Sequence, residues 1–545
     1  MLKPRESPTL GDDRQVGMTK TYNRESENDL ARLEQSPKTV ASWQSAQQHL
    51  IGGRHVPALA SYRNLTHQFP GVSQLWAEMS IAAAGNLDFP LADQTSQRAA
   101  ELASADANLL VSIGQHYHRL RRLEQAGTCF EQAVAADPDS VHAQLSLAAW
   151  YERDRRLDDA WNCVETCLAS HPHDGRALYF KAFLLHRKGH DGEVETALRD
   201  LLKSADLPAD ARCSASHLLG VVLDSVGQYG EALAWLEKAK NLQRQMSNTT
   251  ALESTYVQMD RSRRELLASL TPDMIKRWRE QADAAATAHP LALLGGTPRS
   301  GTTLIEQILG AHPDVLVFDE PESFANELMN PLYPPPPARG LSVKALNTLP
   351  PDRRGQMTRR YFKSLLRELP QTPCGKMLID KNPSLTAALY VWLRLFPQLK
   401  VIIALRDPRD IVISCYFQSL ALTPGNVNFL SLPGAVKYYA DCMDVWLRLR
   451  ELGGFDWIET RYEDVVNNLE AEGKRVTHFL GLQWNDAQAK YHEKARSKFV
   501  FAPTYHDVTK PVYKNAIGRW EHYQDAMAPL HSRLEPYCKA FGYNS

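Results

Sequence analysis

The stretch LALLGGTPRSGTTLIEQILGAHP, Leu291 to Pro313, decides how the second half of the chain reads. Its apolar start, Leu291 to Leu294, predicts a short buried strand, and the pattern from about Thr302 predicts a helix. Between them, Gly296 and Gly301 have the spacing of a GxxxxG phosphate-binding loop. An ATPase or GTPase loop would continue with Lys and then Ser or Thr. This chain continues with Thr302 and Thr303, and its nearest cation, Arg299, lies inside the loop. The cradle is present and the lysine is missing, so the anion it holds has to be found elsewhere in the sequence.

Further apolar runs follow the loop. KVIIALRD predicts a strand from Lys400 to about Leu405, and FDWIETRYED predicts another ahead of Tyr462. Helical patterns such as LTAALYVWLRLFP, Leu385 to Pro397, separate them. Strands alternating with helices predict an α/β domain with a central parallel sheet covered on both faces. Ligands in such sheets sit beyond the carboxyl ends of the strands. Arg299, Arg406 and Tyr462 each follow a strand, so one cleft can collect all three. Residues 331–355 form a proline-rich, basic insertion whose polyproline run would be extended, read as an exposed connector or as a lid or acceptor rim.

The first half repeats. Pro70, Pro138 and Pro172 fall on one 34-residue ruler, with Gly114 and Ala148, Tyr117 and Tyr151, and Ala126 and Ala160 keeping the same phase. This resembles the tetratricopeptide repeat, a pair of antiparallel helices per unit. Small residues at Gly114 and Ala126 let two helices approach, Tyr117 and Phe130 fill the space beside them, and proline stops the second helix. One pair cannot bury its own apolar stripe, so neighbours must stack. The reading is an all-α solenoid of about six repeats over residues 39–246, preceded by a disordered tail, 1–38. A charged helical linker, 247–290, follows, with Thr271-Pro272 as N-cap and first turn, and the α/β domain occupies 291–545. The resemblance implies a peptide or protein partner on the concave face; the alternatives are packing on the second domain and self-association as a homodimer. His116, His118, His171 and His173 read as exposed helix or turn residues.

Composition narrows the partners. With 545 residues, more than one core is required. Lys plus Arg number 62 against 63 Asp plus Glu, a net charge of −1, which gives no overall field for nucleic acid or an anionic membrane. An anion site must therefore be local. No run approaches the roughly 20 apolar residues that span a bilayer. The eight cysteines have no disulfide or zinc spacing. A cytoplasmic protein without a nucleic-acid or membrane partner is expected.

Six segments then occur in order: PRSGTTL, HPDVLVFDEPE, LIDKNP, RDPRDIVISCYFQ, RYEDVV and KPVYKNAIGRWEHY. Together they resemble the sulfotransferases that use 3′-phosphoadenosine 5′-phosphosulfate (PAPS). The likeness is greatest to bacterial proteins joining tetratricopeptide repeats to this domain and to tyrosylprotein sulfotransferases. The fold class implied is a repeat solenoid followed by a P-loop-like α/β sulfotransferase domain.

The resemblance implies that backbone N–H groups of Arg299, Ser300, Gly301, Thr302 and Thr303 hold the 5′ phosphosulfate, at a helix N-terminus suited to anions. Arg299 and Lys381 would stabilise the leaving phosphate oxygen. Arg406 and Ser414 would hold the 3′ phosphate, Tyr462 the adenine, and Thr504 and Arg519 lesser donor contacts. Glu320 matches the catalytic base of tyrosylprotein sulfotransferases, with Asp319 and Glu322 as neighbours in cap or acceptor-positioning roles. A carboxylate beside an anionic donor is disfavoured as an anion, which should raise its pKa toward a useful value. A sulfuryl group carries less charge than a γ-phosphate, so no metal is expected.

Two positions depart from the family pattern. Lys514-Asn515-Ala516 replaces the small hydroxyl residues before Gly-Arg-Trp, and Gln418 stands where tyrosylprotein sulfotransferases have arginine. The expected activity is sulfuryl transfer to a hydroxyl, a peptide or protein tyrosine being favoured over a carbohydrate, lipid or small phenol. The competing readings are a magnesium-dependent kinase or NTPase, and a non-catalytic repeat scaffold with a nucleotide-binding domain.

Overall fold

The computed structural model describes residues 28–281, 288–333, 340–367, 369, 373–496 and 516–544. The chain divides into two compact units, Met1–Lys188 and Gly189–Ser545.

The first unit is a series of antiparallel helix pairs, among them Ala107–Arg119 with Leu123–Ala136 and Val141–Arg153 with Leu157–Ser170. The 34-residue ruler recurs in the devices that start and turn these helices. Asp106 and Ser140 are N-caps, their side chains accepting from Leu109 N and Ala143 N at 3.0 and 3.3 Å. Leu87, Arg121 and Arg155, each in the turn within a pair, take positive φ of 59°, 61° and 66°. A Cβ on Gly114 would lie 2.8 Å from the Phe130 ring, so these two helices touch backbone to aromatic at that point.

Two expectations fail in this unit. Residues 28–34 are helical, with Leu33 fully buried, and Asp29 accepts from Gly71 N at 2.9 Å, so an unstructured tail cannot extend to residue 38. His116 is buried, not exposed. Its Nε2 lies 2.9 Å from Ser80 Oγ, and burial pushes its pKa down to about 4.

The second unit begins with Asp191–Lys203 and the hairpin Ala209–Ser225 and Tyr229–Gln245, where Gly220 meets Leu236. Helices Thr249–Ala268 and Pro272–Glu280 follow, the second capped by the Thr271 side chain on Met274 N at 3.4 Å. Five parallel strands come next: β1 (Leu291–Gly296), β2 (Val315–Asp319), β3 (Met377–Lys381), β4 (Lys400–Leu405) and β5 (Asp456–Arg461), in the order β2-β3-β1-β4-β5.

Alternate residues of the central strands serve two cores. Leu291, Leu293, Val401 and Ile403 join the larger core, which includes Trp392 and Trp446. Ala292, Leu294, Ile402 and Ala404 join the other, with Ile305, Ile308 and Val476. A sheet apolar on both faces needs helices on both, as the sequence pattern requires.

Within the proline-rich insertion, residues 334–339 lie outside the described residues. The remainder is largely helical and partly buried rather than an exposed connector. Val343–Asn347 is helical with Leu346 fully buried, and Pro351 starts the helix Pro351–Leu365.

Candidate active site

The carboxyl ends of the five strands carry, in sheet order, Glu320, Lys381, the loop 297–301, Arg406 and Tyr462. All five positions therefore lie along one edge.

The loop after β1 is shaped by its two glycines. A Cβ on Gly296 (φ 136°) would lie 2.4 Å from the Ala404 carbonyl oxygen, and one on Gly301 (φ 92°) would lie 2.6 Å from the Tyr462 ring. Neither position admits a side chain. Gly301 caps the helix Thr302–Gly310, and Thr302 and Thr303 open it, so their N–H groups face outward without a preceding turn to accept them. Arg299 has φ 73°. Ser300 is different from the expected donor. It is fully buried, and its Oγ and N both go to the Thr297 carbonyl, at 2.8 and 3.1 Å. Its hydroxyl braces the loop from within.

Lys381 ends β3 with its side chain fully buried among carboxylates. Its Nζ lies 3.0 Å from Glu320 Oε1 and 3.7 Å from Glu306 Oε2, and it pairs with Asp319. Burial alone would push the ammonium pKa down, but Asp319, Glu306 and Glu320 outweigh it and hold the pKa above the ordinary lysine value. Lys381 is therefore a fixed cation at neutral pH. Glu320 follows β2 with φ 45°, donating its N–H to the Lys381 carbonyl at 2.8 Å. Its side chain is 48% exposed, so one carboxylate touches the buried lysine and also meets solvent.

On the other side of the loop, Arg299 Nε donates to Ser414 Oγ at 2.9 Å. Arg406 Nη1 donates to the Arg299 carbonyl at 3.2 Å, and its Nη2 donates to the Ala516 carbonyl. The Arg406 guanidinium lies 5.1 Å from the Tyr462 ring centroid. Arg406 is 7% exposed, and its Nε has no hydrogen-bond partner among the described residues. The guanidinium also pairs with Asp410 at 3.7 Å, but a buried N–H without an acceptor is costly, and an anion in the cleft would satisfy it. An outward-facing helix start, two glycines that no Cβ fits and this guanidinium together suit a nucleotide with more than one anionic group.

Arg299, Arg406, Ser414, Tyr462 and the loop are thus one cluster, and Lys381 with Glu320 another beside it. Arg519 does not join them. Its Nη2 donates to Asp224 at 2.7 Å, and its guanidinium lies over Phe417. Thr504 lies outside the described residues. Arg409 pairs with Asp407 at 2.7 Å and stacks on Trp520, and His312 bonds the Gln483 carbonyl, both structural roles. Asp410 Oδ2 lies 3.7 Å from Arg406 Nη2. It is fully buried and accepts from Gly518 N and Trp520 N, both at 2.9 Å.

A model described as "Sulfotransferase family" matches residues 290–486, the region that carries this whole strand edge. Residues 290–486 are a sulfotransferase-family domain. Tetratricopeptide repeats match at 107–140 and 214–246, so the chain joins helical repeats to that domain. Protein-tyrosine sulfotransferase A of Caenorhabditis elegans is 26% identical over 281 residues, 48% of this chain and 69% of that protein. Heparan sulfate glucosamine 3-O-sulfotransferase 6 of Homo sapiens is 28% identical over 211 residues, 36% of this chain and 53% of that protein. An Aquifex aeolicus protein without an assigned activity is 25% identical over 358 residues, 63% of this chain but 44% of its own length. The sulfotransferase domain of the Synechococcus PCC 7002 olefin synthase aligns with 47% of this chain and 96% of its own, at 20% identity and a TM-score of 0.35.

Proposed function

We propose that the sulfotransferase-family domain transfers a sulfuryl group from PAPS to an acceptor hydroxyl, and that the acceptor is a tyrosine in a peptide or protein. The observation that carries the reading is the buried Arg406, whose Nε has no acceptor among the described residues, set beside Arg299 and Ser414 on the strand edge that also carries Lys381 and Glu320. PAPS supplies the sulfuryl group and a 3′ phosphate. Arg406 and Ser414 recognise the phosphate monoester, a guanidinium fork with a hydroxyl.

The N–H groups of Thr302 and Thr303 hold the 5′ end at the helix start, with Arg299 beside them. Glu320, half-exposed, takes the proton of the acceptor hydroxyl as its oxygen bonds to sulfur. Lys381 holds the charge that remains on the departing phosphate oxygen. The products are a sulfate ester and adenosine 3′,5′-bisphosphate.

The tyrosine acceptor is supported by Glu320 matching the tyrosylprotein sulfotransferase pattern and by the similarity to enzymes of that name. Similarity to a heparan sulfate sulfotransferase supports a carbohydrate acceptor as the second reading. We assign the helical repeats to binding a peptide or protein partner. Transfer of labelled sulfate from PAPS to tyrosyl peptides, oligosaccharides and phenols separates the readings. Tyrosyl peptides are expected to be labelled; transfer confined to sugars would replace the first acceptor with the second.

A further inference from the structure

The segment from Ala516 to Tyr523 is anchored twice. On the sheet side, the Ala516 carbonyl accepts from Arg406, and the buried Asp410 holds Gly518 N and Trp520 N. On the other side the anchor is Asp224, at the end of the repeat helix Ala209–Ser225. Its Oδ2 accepts from Arg519 Nη2 at 2.7 Å, and its Oδ1 accepts from the Tyr523 hydroxyl. Tyr229, at the start of the next repeat helix, stacks on His522 with centroids 4.2 Å apart and planes 10° from parallel.

The same hairpin grips the chain that leaves the Ser414 helix, Pro408–Tyr416. Residues just past a helix end leave carbonyls without intrahelical donors. Here His217 donates to the Phe417 carbonyl at 2.9 Å, Lys240 to Gln418 at 2.5 Å and Gln243 to Leu420 at 2.7 Å. Both pieces of chain that present donor-site groups, Ser414 on one and the Ala516 carbonyl on the other, are therefore fastened to one repeat hairpin.

We infer that Asp224 is a positioning residue for the nucleotide donor: by tying Arg519 and Tyr523 to the hairpin it fixes the Ala516 carbonyl, and through it the Arg406 guanidinium. This rests on the donor assignment proposed above. The Ala516 carbonyl holds Arg406 Nη2 from behind, together with Asp410, and a guanidinium already aimed loses less freedom when an anion arrives. Removing the Asp224 carboxylate leaves Arg519 and the Tyr523 hydroxyl unpaired and releases the segment from one of its two anchors. The last repeat is then a working part of the donor site.

The test is made on the full chain with Asp224→Ala and Asp224→Asn. Adenosine 3′,5′-bisphosphate binding is measured by calorimetry, and KM is measured separately for donor and acceptor. For Asp224→Ala, the Kd of the bisphosphate and the donor KM should rise about 10-fold, in the range for loss of charged hydrogen bonds. The acceptor KM and the kcat at saturating donor should stay within about 2-fold, a split that general loss of structure would not give. Asp224→Asn keeps an oxygen for the Tyr523 hydroxyl and should fall between, and it carries the test alone if the alanine variant does not fold. Unchanged Kd and donor KM in a folded variant, or equal rises in donor and acceptor KM, overturn the inference. Failure of the wild-type protein to bind the bisphosphate instead removes the donor assignment, and this inference with it.

Discussion

Arg299 and Glu320 both hold φ in the left-handed region, at 73° and 45°. For a residue with a Cβ that conformation costs about 1 kcal/mol or more, and it persists only where the surroundings impose it. At Glu320 the imposition is visible: its N–H goes to the Lys381 carbonyl while its carboxylate meets the Lys381 ammonium. The turn after β2 thus sets one oxygen on a fixed cation and leaves the side chain half in solvent, where a hydroxyl can approach. Glu320→Gln keeps the shape and loses the proton acceptor. It should lower kcat by about 10²- to 10⁴-fold and leave the Kd for adenosine 3′,5′-bisphosphate unchanged. An unchanged kcat would take the base role from this residue. The family resemblance named Glu320, Lys381 and Arg406 as candidates because each sits in a short motif. It did not show that Ser300 turns inward or that Asp410 and Asp224 hold the 516–523 segment. Those bonds join residues from 3 to 299 positions apart, and the longer ones leave no local pattern.

At the scale of the element, the repeat ruler reaches further than the prolines that disclosed it. Gly53, Leu87, Arg121, Arg155 and Gly189 succeed one another at 34-residue steps, and all take positive φ. The repeat demands a left-handed residue in the turn within each pair, and three of these five turns meet it with a side chain at some strain. Gly189→Ala should then destabilise its unit by about 1–2 kcal/mol in a denaturant titration. Gly192, the second residue of the helix Asp191–Lys203 with open space around it, is the control. Gly192→Ala should be neutral or stabilising, since alanine favours helix over glycine and nothing crowds this first-turn position. Equal effects of the two changes would contradict the turn argument. Among the strands, β1, β4 and β5 were legible from their runs LALL, KVIIAL and FDWIETR. VLVFD was not, because β2 is a five-residue edge strand with only Val315 buried, and such a run resembles a loop.

At the scale of the whole chain, the loop that opened the reading lacks its lysine, and the sheet order shows what stands in the neighbourhood. β3 lies directly beside β1, and Lys381 is in register with Leu294, so a buried ammonium ends the adjacent strand. On the other flank β4 delivers Arg406. Parallel strands are spaced about 4.8 Å, so the edge from β2 to β4 runs about 14 Å, with a base at one end and a guanidinium at the other. The donor proposed above would lie along the β1–β4 part of this edge, its 5′ group at the loop and its 3′ phosphate at Arg406, with Glu320 left for the acceptor. Composition could not reveal it, because a net charge of −1 conceals local cations.

The central claim is that this edge recognises a nucleotide bearing an additional ribose phosphate. Calorimetric titration of the wild-type protein and Arg406→Ala with adenosine 3′,5′-bisphosphate, adenosine 5′-monophosphate and magnesium ATP tests it most directly. The wild-type protein should bind the bisphosphate most tightly, and Arg406→Ala should bring its affinity down toward that of the monophosphate while changing the monophosphate little. A preference for magnesium ATP, or equal loss of both adenosine ligands in the variant, would contradict the account.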